Sequence, residues 1–145
     1  MENYLAQTPL FYACINQSQP ITKLLLVSGA NVNKENSRMQ TPLFYACING
    51  NLDIIKTLIE HGANVNKADI HGRTPLFIAC ECQHKDNDRI VKLLVENGAD
   101  VNVIDKYGNT PLYYACINEN EAIVQLLIEN GALVNNRDRD NYTPL

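Results

Sequence analysis

The triplet Thr-Pro-Leu occurs five times in this chain, at Thr8, Thr41, Thr74, Thr110 and Thr143, at steps of 33 residues with one step of 36. Other residues keep the same beat. Gly-Ala pairs stand at Gly29, Gly62, Gly98 and Gly131, and each is followed by a Val-Asn pair ending at Asn33, Asn66, Asn102 or Asn135. A fixed period of this size is the signature of a stacked array, in which each unit packs only on its neighbours.

The local chemistry of one unit predicts two short helices. Thr41 is placed to cap the first helix through its hydroxyl, and Pro42 occupies the first turn, where its missing N–H costs nothing. Leu43, Ala46 and Cys47 then form one apolar face, and the helix stops near Asn49-Gly50. A second helix begins around Asn51, carries Ile54, Ile55, Leu58 and Ile59 inward, and ends at Gly62, a left-handed cap. Pro20 sits in the tolerated first turn of the corresponding helix one unit earlier. Gly72 and Gly108 suit a tight hairpin-like turn that requires positive φ. Neither helix reaches the roughly 12–15 residues at which an isolated helix becomes marginally stable in water, so each must bury its face on the next unit.

The pattern Asp-x-x-Gly-x-Thr-Pro-Leu, followed by Leu-Leu-x-x-x-Gly-Ala-x-Val-Asn, resembles the ankyrin repeat; Asp105 to Leu112 with Leu126 to Ala132 is the cleanest copy. The resemblance implies an all-α ankyrin-repeat solenoid, helix-turn-helix pairs joined by hairpin-like loops, in a single domain over 1–145. Its units are expected near 1–35, 36–68, 69–104 and 105–137, with a partial one at 138–145. Three departures from the family pattern stand out. Phe11, Phe44, Phe77 and Tyr113 replace the histidine after Thr-Pro-Leu, so packing is expected to replace its hydrogen bonds. Cys14, Cys47, Cys80 and Cys116 replace a small residue. Met39 and Asn141 stand where the turn glycine belongs, which predicts distorted turns. The chain stops inside a fifth unit and leaves Leu127 and Leu145 without a following unit, which suggests a fragment of a longer array or a frayed end.

Several functions are disfavoured. The net charge is −4 and no cluster of lysine or arginine occurs; in Arg137 to Asp140 the signs alternate. A nucleic-acid partner, which demands a positive surface, is not expected. Apolar runs such as Leu24 to Val27 are far below the roughly 20 residues of a membrane span, and Met1 to Tyr4 does not open a signal peptide. The equivalent cysteines read as small buried hydrophobes in a reducing compartment, because stacked helices lie about 8–10 Å apart, beyond disulfide reach. Cys80, Cys82 and His84 have ligand chemistry, but the spacing is short and no fourth ligand is evident. No catalytic, cofactor or metal site is expected, since His61, His71 and His84 fall in unrelated settings and no nucleophile or phosphate-loop motif occurs.

The resemblance implies a monomeric, cytoplasmic or nuclear module that binds another protein through a concave groove formed by the hairpin tips and the exposed side of the first helices. Position by position, this implicates Arg38, Gln40, Ile48 and Asn49 in the second unit, with Ser37 beside them. In the third unit it implicates Ile70, His71, Arg73 and Glu81, with Cys82 following. Lys106, Tyr107, Asn109, Ile117 and Asn118 follow in the fourth, then Arg139 and Tyr142. Ile15, Ile48 and Ile117 would make an apolar stripe interrupted by Glu81, or else pack partly against the next helix. Tyr and Arg at the tips are the types enriched at binding hot spots, and the arginines would select a partly acidic partner. The extra three residues within Gln83 to Asn87 are either tolerated drift or a partner-specific bump. The repeated asparagines either bond local backbone or, as in some ankyrin proteins, serve as hydroxylation sites. A structural spacer in a longer protein, or a pathogen effector that binds a host protein, are the alternative functions.

Overall fold

The computed structural model describes residues 5–135. Among them are eight helices and no strand: α1 (Pro9–Ile15), α2 (Gln19–Val27), α3 (Pro42–Asn49), α4 (Leu52–Glu60), α5 (Pro75–Glu81), α6 (Asn87–Glu96), α7 (Pro111–Ile117) and α8 (Glu121–Glu129). The odd-numbered helices stack in one layer and the even-numbered ones in a second, each unit contributing one helix to both. This is the all-α solenoid that the period predicts.

The helix ends follow from the repeated residues. A proline occupies the first turn of all four odd-numbered helices. Thr74 and Thr110 accept a cap bond from the amides of Phe77 and Tyr113 at 3.4 and 3.2 Å. Thr41 corrects the expectation made for it. Its backbone is equally extended, but no amide reaches its hydroxyl, which is buried without a partner. The asparagines before α4 and α8 do cap, Asn51 accepting from Ile54 N and Asn120 from Ile123 N, both at 3.1 Å. Gly62, at φ +84°, ends the second helix of its unit, where Gly62 N bonds Ile59 O and Ala63 N bonds Leu58 O.

The core runs between the layers. Leu10, Leu43, Leu76 and Leu112 hold one row, and Ile54, Leu58, Ile90 and Leu94 line the facing helices, all fully buried. Each such side chain contributes about 1.5–3 kcal/mol through burial. Leu127 is also fully buried, against the expectation that it lies open; the turn of its own unit closes with Ala132 in the same cluster. Leu145 lies outside the described residues.

Phe11, Phe44 and Phe77 are buried, so aromatic packing does replace the usual histidine. Phe11 meets Tyr45 of the next unit edge-on at 5.7 Å, and Phe77 meets Tyr114 at 4.9 Å. All five cysteines are free thiols; Cys14, Cys47 and Cys80 are buried, whereas Cys116 is only half-buried. Burial pushes the Cys14 thiol from 9.0 up to about 12. It pushes Cys47 and Cys80 up further still. Met39 does not distort its turn. It takes φ +60°, the same left-handed conformation as Gly72 at +79°, and so carries strain that glycine avoids.

Candidate groove and inter-unit links

Three side chains fold the tips. Asp69 Oδ1 accepts from His71 N and Arg73 N, Asp105 Oδ1 from Tyr107 N and Asn109 N, and Asn36 Oδ1 from Arg38 N and Gln40 N, at 2.8–3.0 Å. All three are buried. Successive tips are then laced together by main-chain bonds: Ser37 N to Leu5 O, Ile70 N to Arg38 O, and Lys106 N to His71 O. The backbone of the candidate surface is therefore one continuous hydrogen-bonded edge.

On that edge Arg38, Ile70, Lys106 and Tyr107 are exposed, and His71 and Asn109 are half-buried. Tyr107 is 58% exposed, with the Lys106 ammonium 4.8 Å from its ring centre. Gln40 faces inward. It is 7% exposed, and its Oε1 accepts from the Tyr45 hydroxyl at 3.0 Å and from Asn36 Nδ2 at 3.2 Å. Arg73 is also committed inside the array. Its guanidinium bonds Asp69 Oδ2 at 3.0 Å, approaches Glu81 at 3.5 Å, and lies 5.9 Å over the Phe44 ring. Arg139 and Tyr142 lie outside the described residues.

Along the first helices, Ile48, Glu81 and Ile117 occupy one equivalent, exposed position, and Ile15 at the same place is half-buried. Ile117 is 57% and Ile48 37% exposed. The next position behaves differently. Asn118 Nδ2 donates back to Cys80 O and Glu81 O of the preceding unit, at 2.9 and 3.0 Å. Asn49 Nδ2 donates back to Cys14 O and Ile15 O, at 3.2 and 3.1 Å. Both amide nitrogens thus join units, and both residues are half-buried.

The insertion is not a free bump. His84 turns back onto the second unit, where its Nε2 lies 2.7 Å from Ile48 O, while Gln83 Nε2 donates forward to Asn118 Oδ1 at 3.0 Å. The His84 ring fills the space where a side chain on Gly50 would stand, 2.4 Å from an ideal Cβ. Cys80 is buried, and His84 turns its Nε2 to this carbonyl. Among the described residues, no group of three or more His, Cys, Asp or Glu side chains is placed to hold a metal ion.

The asparagines of the Val-Asn pairs do more than bond local turns. Asn33, Asn66 and Asn102 each donate from Nδ2 to the glycine carbonyl of the next unit (Gly62, Gly98, Gly131) at 2.8–3.0 Å. Each also accepts, at Oδ1, an amide two residues beyond that glycine: Asn64, Asp100 or Leu133. Their recurrence was the available signal for this ladder. Asn49 and Asn118 were not read as structural, because their bonds cross to the preceding unit, which spacing alone does not locate. The bonds of Asn36 and Asp69 are local, to amides two and four residues ahead.

No helix among the described residues is long and apolar enough to cross a membrane. No curated protein matches the chain. The family model for ankyrin repeats, in three copies, matches residues 2–69 and 66–138. Ankyrin repeats generally mediate binding between proteins and are typically non-enzymatic. With the helix pairs, left-handed turns and unit-to-unit stacking above, this match shows that the chain belongs to the ankyrin-repeat family.

Proposed function

We propose that this chain binds a partner protein along the edge formed by its tips and the exposed side of α3, α5 and α7. The observation that carries the reading is the run of apolar side chains kept in solvent there: Ile48, Ile70, Tyr107 and Ile117 are exposed although the array has a full core to receive such residues. Exposed apolar side chains beside a rigid hydrogen-bonded edge suit an interface whose ordering cost is already met. Arg38 and Lys106 are the tip cations that face solvent, while Arg73 is neutralised by Asp69 and Glu81. Selection of an acidic partner would rest on the first two. A monomer in a reducing compartment fits the five free thiols.

The test is a comparison of partner capture by the chain and by a triple variant, Arg38→Ala, Tyr107→Ala and Ile117→Ala. All three sites are exposed, so the variant is expected to keep its helix content. Loss of a partner that the unaltered chain retains supports the groove. Retention of the same partner at the same affinity places binding elsewhere, and capture of nothing by either chain favours a spacer.

A further inference from the structure

The boundary between the second and third units is built differently from its neighbours. At the other two boundaries an asparagine at the end of the first helix, Asn49 or Asn118, donates to two carbonyls of the preceding unit. The equivalent residue in the third unit is Cys82, which has no amide to give. The carbonyl left over is that of Ile48, the counterpart of Ile15 and Glu81 in the other links. That is the atom His84 reaches, at 2.7 Å. A carbonyl only accepts, so the imidazole Nε2 carries the proton.

A second exchange accompanies the first. Tyr45 and Tyr114 pack on the preceding Phe11 and Phe77, but their counterpart in the third unit is Ile78. Beside Phe44 the place is taken by the Arg73 guanidinium. The chain also leaves α5 differently. Cys82 is extended at ψ 152°, whereas Asn118 has ψ 2°, and this gives the added residues room to turn back.

We infer that His84 is a positioning residue that restores, across the boundary between the second and third units, the link Cys82 cannot make. Cys82 and the three added residues are then two halves of one exchange, and the insertion holds the Ile48 segment of the groove in register. This holds whether or not the groove takes a partner. Gly50 belongs to the same device, because the His84 ring against it excludes a side chain, whereas Gln17 and Glu119 at the equivalent left-handed position carry one.

Removal of Gln83, His84 and Lys85 would align Asp86 and Asn87 with Glu119 and Asn120, so a shortened loop has a template within the chain. The test uses the whole chain, with urea unfolding and the carbonyl ¹³C resonance of Ile48 as readouts. His84→Ala is expected to lower the folding equilibrium constant about fivefold, the size of one hydrogen bond, and to move the Ile48 resonance. His84→Gln, which keeps an N–H donor, is expected to lose less. The shortened loop with Cys82 retained should be impaired like His84→Ala, and adding Cys82→Asn should return both readouts to within about twofold of the original chain. If His84→Ala changes neither readout, or if Cys82→Asn gives no recovery in the shortened chain, folded or not, the inference is overturned.

Discussion

Asn66 of the second unit is bonded at both ends of its side-chain amide to the third: Nδ2 donates to Gly98 O and Oδ1 accepts from Asp100 N, each at 2.8 Å. The pair of bonds works as one rung of a ladder, and Asn33 and Asn102 repeat it at the adjoining boundaries.

Asn66→Ala removes both bonds at once. The site is exposed, so water partly replaces them, and the expected cost is about 1–2 kcal/mol in urea unfolding. Asn66→Asp keeps the acceptor but sets a charge against Gly98 O, and should be at least as costly. A loss below about 0.3 kcal/mol for both would show the rung to be energetically idle.

Backbone strain offers the opposite sign. Met39 and Glu119 hold φ of +60° and +54°, where a side chain crowds its own carbonyl. Met39→Gly and Glu119→Gly should each stabilise the chain by about 0.5–1 kcal/mol, raising its melting temperature by roughly 2–4 °C. Gly50→Ala should do the reverse by more than about 1 kcal/mol, because the left-handed backbone and the His84 ring both oppose it.

The thiols give a pH dependence. Burial raises the Cys14 thiol from 9.0 to about 12 and pushes Cys47 and Cys80 higher, so in the folded chain they stay protonated where the unfolded chain has lost the proton. The folded state then binds more protons, and stability falls as pH rises. The contribution is complete below about pH 9 and is lost progressively above it, through about 12 for Cys14. Thermal melts from pH 8 to 11 should show this decline, and Cys47→Ala should make it shallower. In the native chain Cys82 and Cys116 should be alkylated first, since they alone are not fully enclosed.

The two arginines of the tips should separate. Arg73→Ala strips the buried Asp69 of its partner and should cost about 1–2 kcal/mol, moderated by the amide bonds that Asp69 keeps and by partial solvent access. Arg38→Ala, at an exposed site, should change stability by less than about 0.5 kcal/mol. Equal losses in urea unfolding would contradict this division of roles.

Much of the fold was legible because the same residues recur in phase. Proline in the first turn, glycine after the second helix and leucine at fixed offsets each dictate a local conformation, and their recurrence announces the stacking. The candidate surface was legible only in part. Spacing located Arg38, Tyr107 and Ile117 at the tips and on the first helices, but it could not separate solvent-facing residues from those bonded across units. Asn49 and Asn118 look like surface polar residues in sequence, yet they bond carbonyls 35 and 38 residues back in the preceding unit. Gln40 and Arg73 look the same, yet bond side chains four residues back within their own units. The reach of His84 to Ile48, 36 residues away, had no local signal at all. The cap expected of Thr41 failed for a related reason: its backbone fits, and only the hydroxyl lacks an amide.

The most direct test of the groove is site-specific photocrosslinking. A photoreactive phenylalanine is introduced singly at Tyr107 and Ile117, and as controls at Lys56 and Lys92, exposed residues of α4 and α6 in the second layer. Cells or lysates carrying each version are irradiated and the adducts identified. The account predicts one protein crosslinked from positions 107 and 117 and absent from 56 and 92. A partner crosslinked from 56 and 92 but not from the tips would contradict it.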